Sequence, residues 1–105
     1  MAARKRLLIL GSTGSIGTQA LDVARRSPEL ELVALSAERS WEALVEQARE
    51  HDVGRIALAD EHAAARAAES WTDGSVLAGT EGLVQLVVDS GADLVLNALV
   101  GSAGL

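Results

Sequence analysis

Three glycines stand three residues apart in the segment Gly11-Ser-Thr-Gly-Ser-Ile-Gly17, directly after the apolar run Leu7-Leu8-Ile9-Leu10. A glycine turn between a buried strand and a helix is suited to holding phosphate. The first N–H groups of a helix lack intrahelical acceptors and carry about half a positive charge. An anion placed there is bound by both effects, and glycine lets the backbone approach it because no β-carbon intervenes. The spacing departs from the G-x-G-x-x-G fingerprint. In that register Ser12 takes the first glycine's place, Gly14 permits phosphate approach and Gly17 lets helix and strand pack closely. Thr13 and Ser15 add hydroxyls for phosphate oxygens. This context, after a strand and opening a helix, points to a dinucleotide. The plainer alternative is a turn that needs glycine only for its own geometry.

Cofactor choice in such sites is made at the end of the second strand, about 20 residues further on. The residues there are Ser36-Ala-Glu-Arg-Ser40. An acidic side chain at that place accepts from a ribose 2′-hydroxyl and favours NAD, whereas arginine pairs with the 2′-phosphate of NADP. Glu38 and Arg39 give both signals side by side. Arg39 followed by the hydroxyl of Ser40 makes a reasonable 2′-phosphate pair, so the chemistry leans to NADP.

The rest of the chain reads as a scaffold for these residues. Apolar runs at 7–10, 31–36, 55–59 and 93–97, with a shorter extended piece at 75–78, suit strands buried in a parallel sheet. Between them lie helical segments. The first puts Ile16, Ala20, Val23 and Ala24 on one face and stops at Ser27-Pro28. The second, capped by Ser40, runs to about residue 51 with Leu44, Val45 and Ala48 inward and Glu42 in its first turn. The third is an alanine-rich helix capped by Asp60 and ending near Trp71. Thr80 caps the fourth, with Leu83, Leu86 and Val87 on one side, and Ser90-Gly91 ends it. Alternating strands and helices call for an α/β fold, a Rossmann-type doubly wound parallel sheet of four to five strands with helices on both faces. Residues 1–105 form at most one small domain, read here as a dinucleotide-binding unit.

Composition narrows the function further. Nine basic residues against fifteen acidic ones leave a net charge of −6, and no clustered basic face is present of the kind that nucleic acid requires. The run Arg4-Lys5-Arg6 reads as a solubilising flank. The chain has no cysteine, which fits a reducing compartment. It contains neither a signal peptide nor a run of the ~20 apolar residues that a membrane span requires, so a cytoplasmic protein is expected. His51 and His62 sit in separate helical segments without a second ligand at helical spacing. Glu46 and Glu50 fall on a helix's polar side, where solvated charge is expected. Asp60 and Glu61 carry no stronger claim, and Trp41 and Trp71 suit packing at helix ends. No catalytic or metal residue is assigned.

Leu10-Gly-Ser-Thr-Gly-Ser-Ile-Gly17, continued by Thr18-Gln-Ala-Leu-Asp-Val23, resembles the N-terminus of 1-deoxy-D-xylulose 5-phosphate reductoisomerase. Leu96-Asn-Ala-Leu-Val-Gly-Ser-Ala-Gly-Leu105 resembles it at a similar distance downstream, and Val33-Ala-Leu35 and Leu44-Val-Glu-Gln47 fall where that family has comparable residues. The likeness implies an NADPH-dependent enzyme of the non-mevalonate isoprenoid pathway, usually a homodimer. It rearranges 1-deoxy-D-xylulose 5-phosphate and reduces the aldehyde to 2-C-methyl-D-erythritol 4-phosphate, with Mg or Mn. Carried over by position, Gly11, Thr13, Gly14, Ser15, Ile16 and Gly17 hold the pyrophosphate turn. Arg39 and Ser40 stand near the 2′-phosphate, and Ala98 and Leu99 border the nicotinamide. Glu38 stands where many members have glycine. The family's metal carboxylates, catalytic-loop histidine and substrate-phosphate site lie beyond Leu105, so the resemblance implies that residues 1–105 are an incomplete N-terminal dinucleotide-binding domain and an inactive fragment of the enzyme. In such a fragment the strand through Leu94, Val95 and Leu96 is expected to lack an outer neighbour or a covering helix. Two alternatives remain: the N-terminus of another NAD(P)-dependent dehydrogenase, or a stand-alone non-catalytic nucleotide-sensing module.

Overall fold

The computed structural model describes residues 4–98. Strands β1 (Lys5–Leu10), β2 (Leu30–Ala37), β3 (Arg55–Leu58), β4 (Ser75–Ala78) and β5 (Leu94–Asn97) alternate with helices α1 (Ser15–Arg26), α2 (Trp41–Glu50), α3 (Glu61–Ser70) and α4 (Gly79–Ser90). All pairings are parallel, in the order β4-β3-β2-β1-β5. The sheet thus has five strands, within the four to five expected, with β2 in the middle and β1 between β2 and β5.

Side chains of a strand alternate between the two faces, and the core divides accordingly. Leu7 and Ile9 of β1 face one side together with Leu35, Ile56 and Leu58, where Leu21 of α1, Leu44 of α2 and Ala63 of α3 cover them. Leu8, Ala34 and Ala57 face the other side, against Leu86 of α4. Helices lie on both faces as expected, but three to one. β5 pairs only with β1 among the described residues, and Leu94, Val95 and Leu96 stay 46%, 46% and 38% exposed. Among the described residues it is an exposed edge of the sheet.

Several helix ends follow local chemistry. The Asp60 carboxylate accepts from the Ala63 N–H at 2.9 Å, capping α3. Ser27, before the proline, leaves the helical region at φ −105°, ψ 104° and ends α1. Gly91 ends α4 in the left-handed region at φ 65°. Two expected caps are not made. Ser40 occupies the cap position of α2 without a side-chain hydrogen bond. α4 begins two residues earlier than expected, with Ala78 at the cap, so Thr80 lies inside its first turn.

The inward face of α1 also differs from expectation. Gly17, Leu21 and Ala24 are buried, while Ile16 and Val23 are 47% and 59% exposed. Gly17 decides this: it lies against the backbone of Gly11 and Ser12, and that contact sets the rotation of the helix. Residues 21 and 24, one and two turns on, then follow it toward the sheet. The basic run at the N-terminus is likewise more than a flank. Arg6 donates from Nη2 to the Ser90 carbonyl at 3.1 Å, at the C-terminus of α4, and Arg4 donates to the Leu30 carbonyl at 2.8 Å. Arg6 thus supplies the positive charge that a helix C-terminus favours.

Candidate functional site

The chain leaves β1 in one direction toward β2 and returns through β5 on the opposite side of β1. Ligands of open α/β sheets bind at the carboxyl ends of the strands where the order reverses in this way. Here that region holds a groove of about 350 Å³, bordered by the glycine turn after β1, the end of β2 and Ala98 after β5.

The turn is held from beneath. Its first residue, Gly11, adopts φ 80°, a conformation that costs other residues a steric penalty. The Ser36 carbonyl accepts from the N–H groups of both Gly11 and Ser12, each at 2.9 Å. Ser12 is fully buried. Its hydroxyl donates to Gln47 Oε1 at 2.7 Å, and Gln47 Nε2 donates back to the Ser12 carbonyl at 3.0 Å. This reciprocal pair ties the turn to α2. Gln47 is thus a positioning residue that the glycine motif does not include. Its signal was a polar side chain between Leu44 and Ala48 on the buried stripe of α2. Gln47→Leu removes both bonds, taking a donor from the buried Ser12 carbonyl and leaving its hydroxyl only a long contact to the Ser36 carbonyl at 3.5 Å, so a loss of about 1–3 kcal/mol is expected. Urea unfolding followed by circular dichroism checks it; an unchanged midpoint would show that the pair does not hold the turn.

Of the residues singled out in the sequence, Gly11, Thr13, Gly14, Arg39, Ser40 and Ala98 line this one groove, joined by Ala37 and Glu38. Gly14 is exposed and occupies the cap position of α1 at φ −80°, ψ 178°, without a side-chain cap. A β-carbon there would meet only the Gly11 carbonyl oxygen, at an ordinary 3.8 Å. Nothing in the fold therefore demands glycine at this position. Gly17 is the opposite case, because a β-carbon would overlap the Gly11 carbonyl oxygen and lie 2.6 Å from Ser12 Cα. It shapes the site from below and does not line it. Ser15 and Ile16 follow in the exposed first turn of α1, outside the groove wall. Ala98 is fixed by its N–H, which donates to the Leu10 carbonyl at 2.8 Å. Leu99 lies outside the described residues, as does the rest of the second motif, 99–105.

At the far end of the groove, Glu38 and Arg39 project from a pinned backbone. The Glu38 carbonyl accepts from the Asp60 N–H at 2.9 Å and the Arg39 carbonyl from the Trp41 N–H at 2.7 Å. Their side chains are free of the core, 69% and 76% exposed, and form an ion pair at 3.6 Å. Elsewhere the described residues contain no group of three or more His, Asp or Glu able to hold a metal ion. No helix among them is long and apolar enough to cross a membrane. His51 ends α2 half-buried, His62 is exposed, and Trp71 is buried at the end of α3.

Known proteins share both the sequence and this architecture. The model of the family described as 1-deoxy-D-xylulose 5-phosphate reductoisomerase matches residues 7–105. The chain is 47% identical over 104 residues to the protein of that name from Mycobacterium avium, covering 97% of this chain and 24% of the relative. It is 48% identical over 102 residues to the one from Rhodococcus jostii, covering 95% and 25%. The chain thus spans about a quarter of the length of these curated relatives. Among solved structures, the Zymomonas mobilis reductoisomerase in complex with NADPH superposes with a TM-score of 0.81 at 28% identity, over 90% of this chain and 26% of that one. A reductoisomerase in complex with NADPH, fosmidomycin and magnesium gives 0.79 at 30% identity, over 87% and 23%. The alternative of a different dehydrogenase family is set aside by these matches. With the family model covering nearly every residue, the chain belongs to the 1-deoxy-D-xylulose 5-phosphate reductoisomerase family.

Proposed function

We propose that this chain is the NADPH-binding portion of a reductoisomerase that rearranges 1-deoxy-D-xylulose 5-phosphate and reduces the resulting aldehyde to 2-C-methyl-D-erythritol 4-phosphate in isoprenoid synthesis. The whole enzyme is read as a cytoplasmic homodimer using Mg or Mn. Its substrate and metal are assigned outside the residues described here, which offer no cluster of metal ligands. By itself the chain binds cofactor without turning over substrate.

The observation that carries this reading is Gly14. It is exposed at the start of a helix, at the edge of the groove, in a conformation any residue adopts and with room for a β-carbon. A glycine that the fold does not need is explained by what must come close to it. In this reading the pyrophosphate lies on the first N–H groups of α1, with the Thr13 and Ser15 hydroxyls near its oxygens and Ile16 in the same turn. Gly11 and Gly17 hold the turn open. Arg39 and Ser40 take the adenosine end with its 2′-phosphate, while Ala98 and Leu99 border the nicotinamide end. When bound, the nicotinamide supplies the hydride for the reduction; the chain's own residues bind it, orient it and fix which end faces β5.

A fluorescence titration of the chain with NADPH and NADH tests this. NADPH is expected to bind more tightly, and Arg39→Ala to weaken it about tenfold or more, as loss of a charge-assisted bond to phosphate does, with little change for NADH. Failure of a folded sample to bind either cofactor would overturn the reading.

A further inference from the structure

The groove carries two opposite charges at the place where one suffices. An NADP site needs a cation for the 2′-phosphate, and an NAD site needs a carboxylate for the free ribose hydroxyls. This chain holds both on neighbouring residues, Glu38 and Arg39, and both line the groove. Their backbone carbonyls are anchored by Asp60 and Trp41, so neither residue can move away from the other by shifting the strand end. Their side chains, in contrast, are mostly exposed and meet at 3.6 Å. The pair is loose and monodentate, a contact that a stronger ligand of either group displaces.

Building on the cofactor reading above, we infer that Glu38 sets the cofactor discrimination of this site, by competing with a 2′-phosphate for Arg39 and by itself accepting from the ribose hydroxyls of NADH. With NADPH in the groove, Arg39 turns from Glu38 to the phosphate, and the freed carboxylate is left beside a like charge. With NADH there is no phosphate, Arg39 stays on Glu38, and the carboxylate's remaining lone pairs accept from the 2′- and 3′-hydroxyls. Glu38 thus weakens the preferred cofactor and strengthens the other. The chain accepts NADH to a degree that Arg39 and Ser40 alone would not permit. Both effects act between exposed groups, so each is modest and falls with added salt.

Glu38→Gln keeps the shape and removes the charge, at a position exposed enough that the fold does not depend on it. The variant is expected to bind NADPH about two- to fivefold more tightly and NADH about two- to fivefold more weakly, the range that exposed charge pairs span. The ratio of the two dissociation constants then moves roughly tenfold, and less in 0.5 M salt than in 0.05 M. Glu38→Asp, which retains the charge, is expected to stay nearer the parent ratio. A ratio that does not move in Glu38→Gln, or two affinities that move together, would overturn the role of Glu38 while leaving the cofactor reading intact. Failure of the unmodified, folded chain to bind NADPH overturns both.

Discussion

Replacing Gly17 with alanine is expected to cost the domain about 3 kcal/mol or more, at the top of the range for an overpacked site. The added methyl group would overlap the Gly11 carbonyl oxygen and sit 2.6 Å and 2.7 Å from Ser12 Cα and C. All three atoms are backbone, so no rotamer change relieves the clash. Nor is the turn free to retreat, because the Ser36 carbonyl holds two of its N–H groups and Gln47 holds Ser12. The remaining response is for α1 to lift from β1, which uncovers Leu21 and Ala24 and the strand residues beneath them. A domain of this size is stable by only about 5–15 kcal/mol, so such a loss is visible at once. Urea titration read by tryptophan fluorescence measures it, since Trp71 is 4% exposed in the native state and reports its own release. A midpoint equal to that of the parent chain would mean that α1 does not pack on the turn through Gly17.

Gly17 also marks a limit to how much of the molecule was legible in the sequence. Strand positions were clear because Leu8, Ile9, Leu35 and Ile56 are buried within apolar runs that hardly suit anything but the middle of a sheet. Helix ends were clear where one residue carries the chemistry, as with Asp60 and the Ser27-Pro28 step. The inward face of α1 was not. Hydrophobicity favours Ile16 and Val23, but the helix meets the turn through a residue with no side chain at all. Periodicity of apolar residues cannot register that contact. The groove was legible in outline, since Gly11, Gly14, Arg39, Ser40 and Ala98 come together from three strand ends that only the topology brings side by side. The link between Ser12 and Gln47 spans 35 positions, and a polar residue on the buried stripe of α2 does not by itself name its partner. Only the fold pairs them.

Gly14→Asp separates the two roles a glycine turn can have, and its expected result is the reverse of that for Gly17: an intact fold with NADPH binding reduced at least about a hundredfold. The fold has no objection to the change. The backbone there is at φ −80°, ψ 178°, which suits any residue, and the only atom near a new β-carbon is at van der Waals distance. Aspartate is also among the best residues for a helix N-cap. The cap position of α1 now lacks a side-chain acceptor, so stability should hold or rise by a few tenths of a kcal/mol. A cofactor pyrophosphate meets a different surface. The carboxylate takes up the N–H groups that would receive the phosphate, fills the space of its approach and sets like charge against like, which costs several kcal/mol at close range. Parallel measurements on one preparation decide the matter, with thermal unfolding for the fold and titration with NADPH for the site. Unfolding near the parent temperature with binding lost fixes the phosphate at the start of α1. Unfolding near the parent temperature with binding intact would mean that the cofactor does not lie on this turn, whose glycines would then serve its geometry alone.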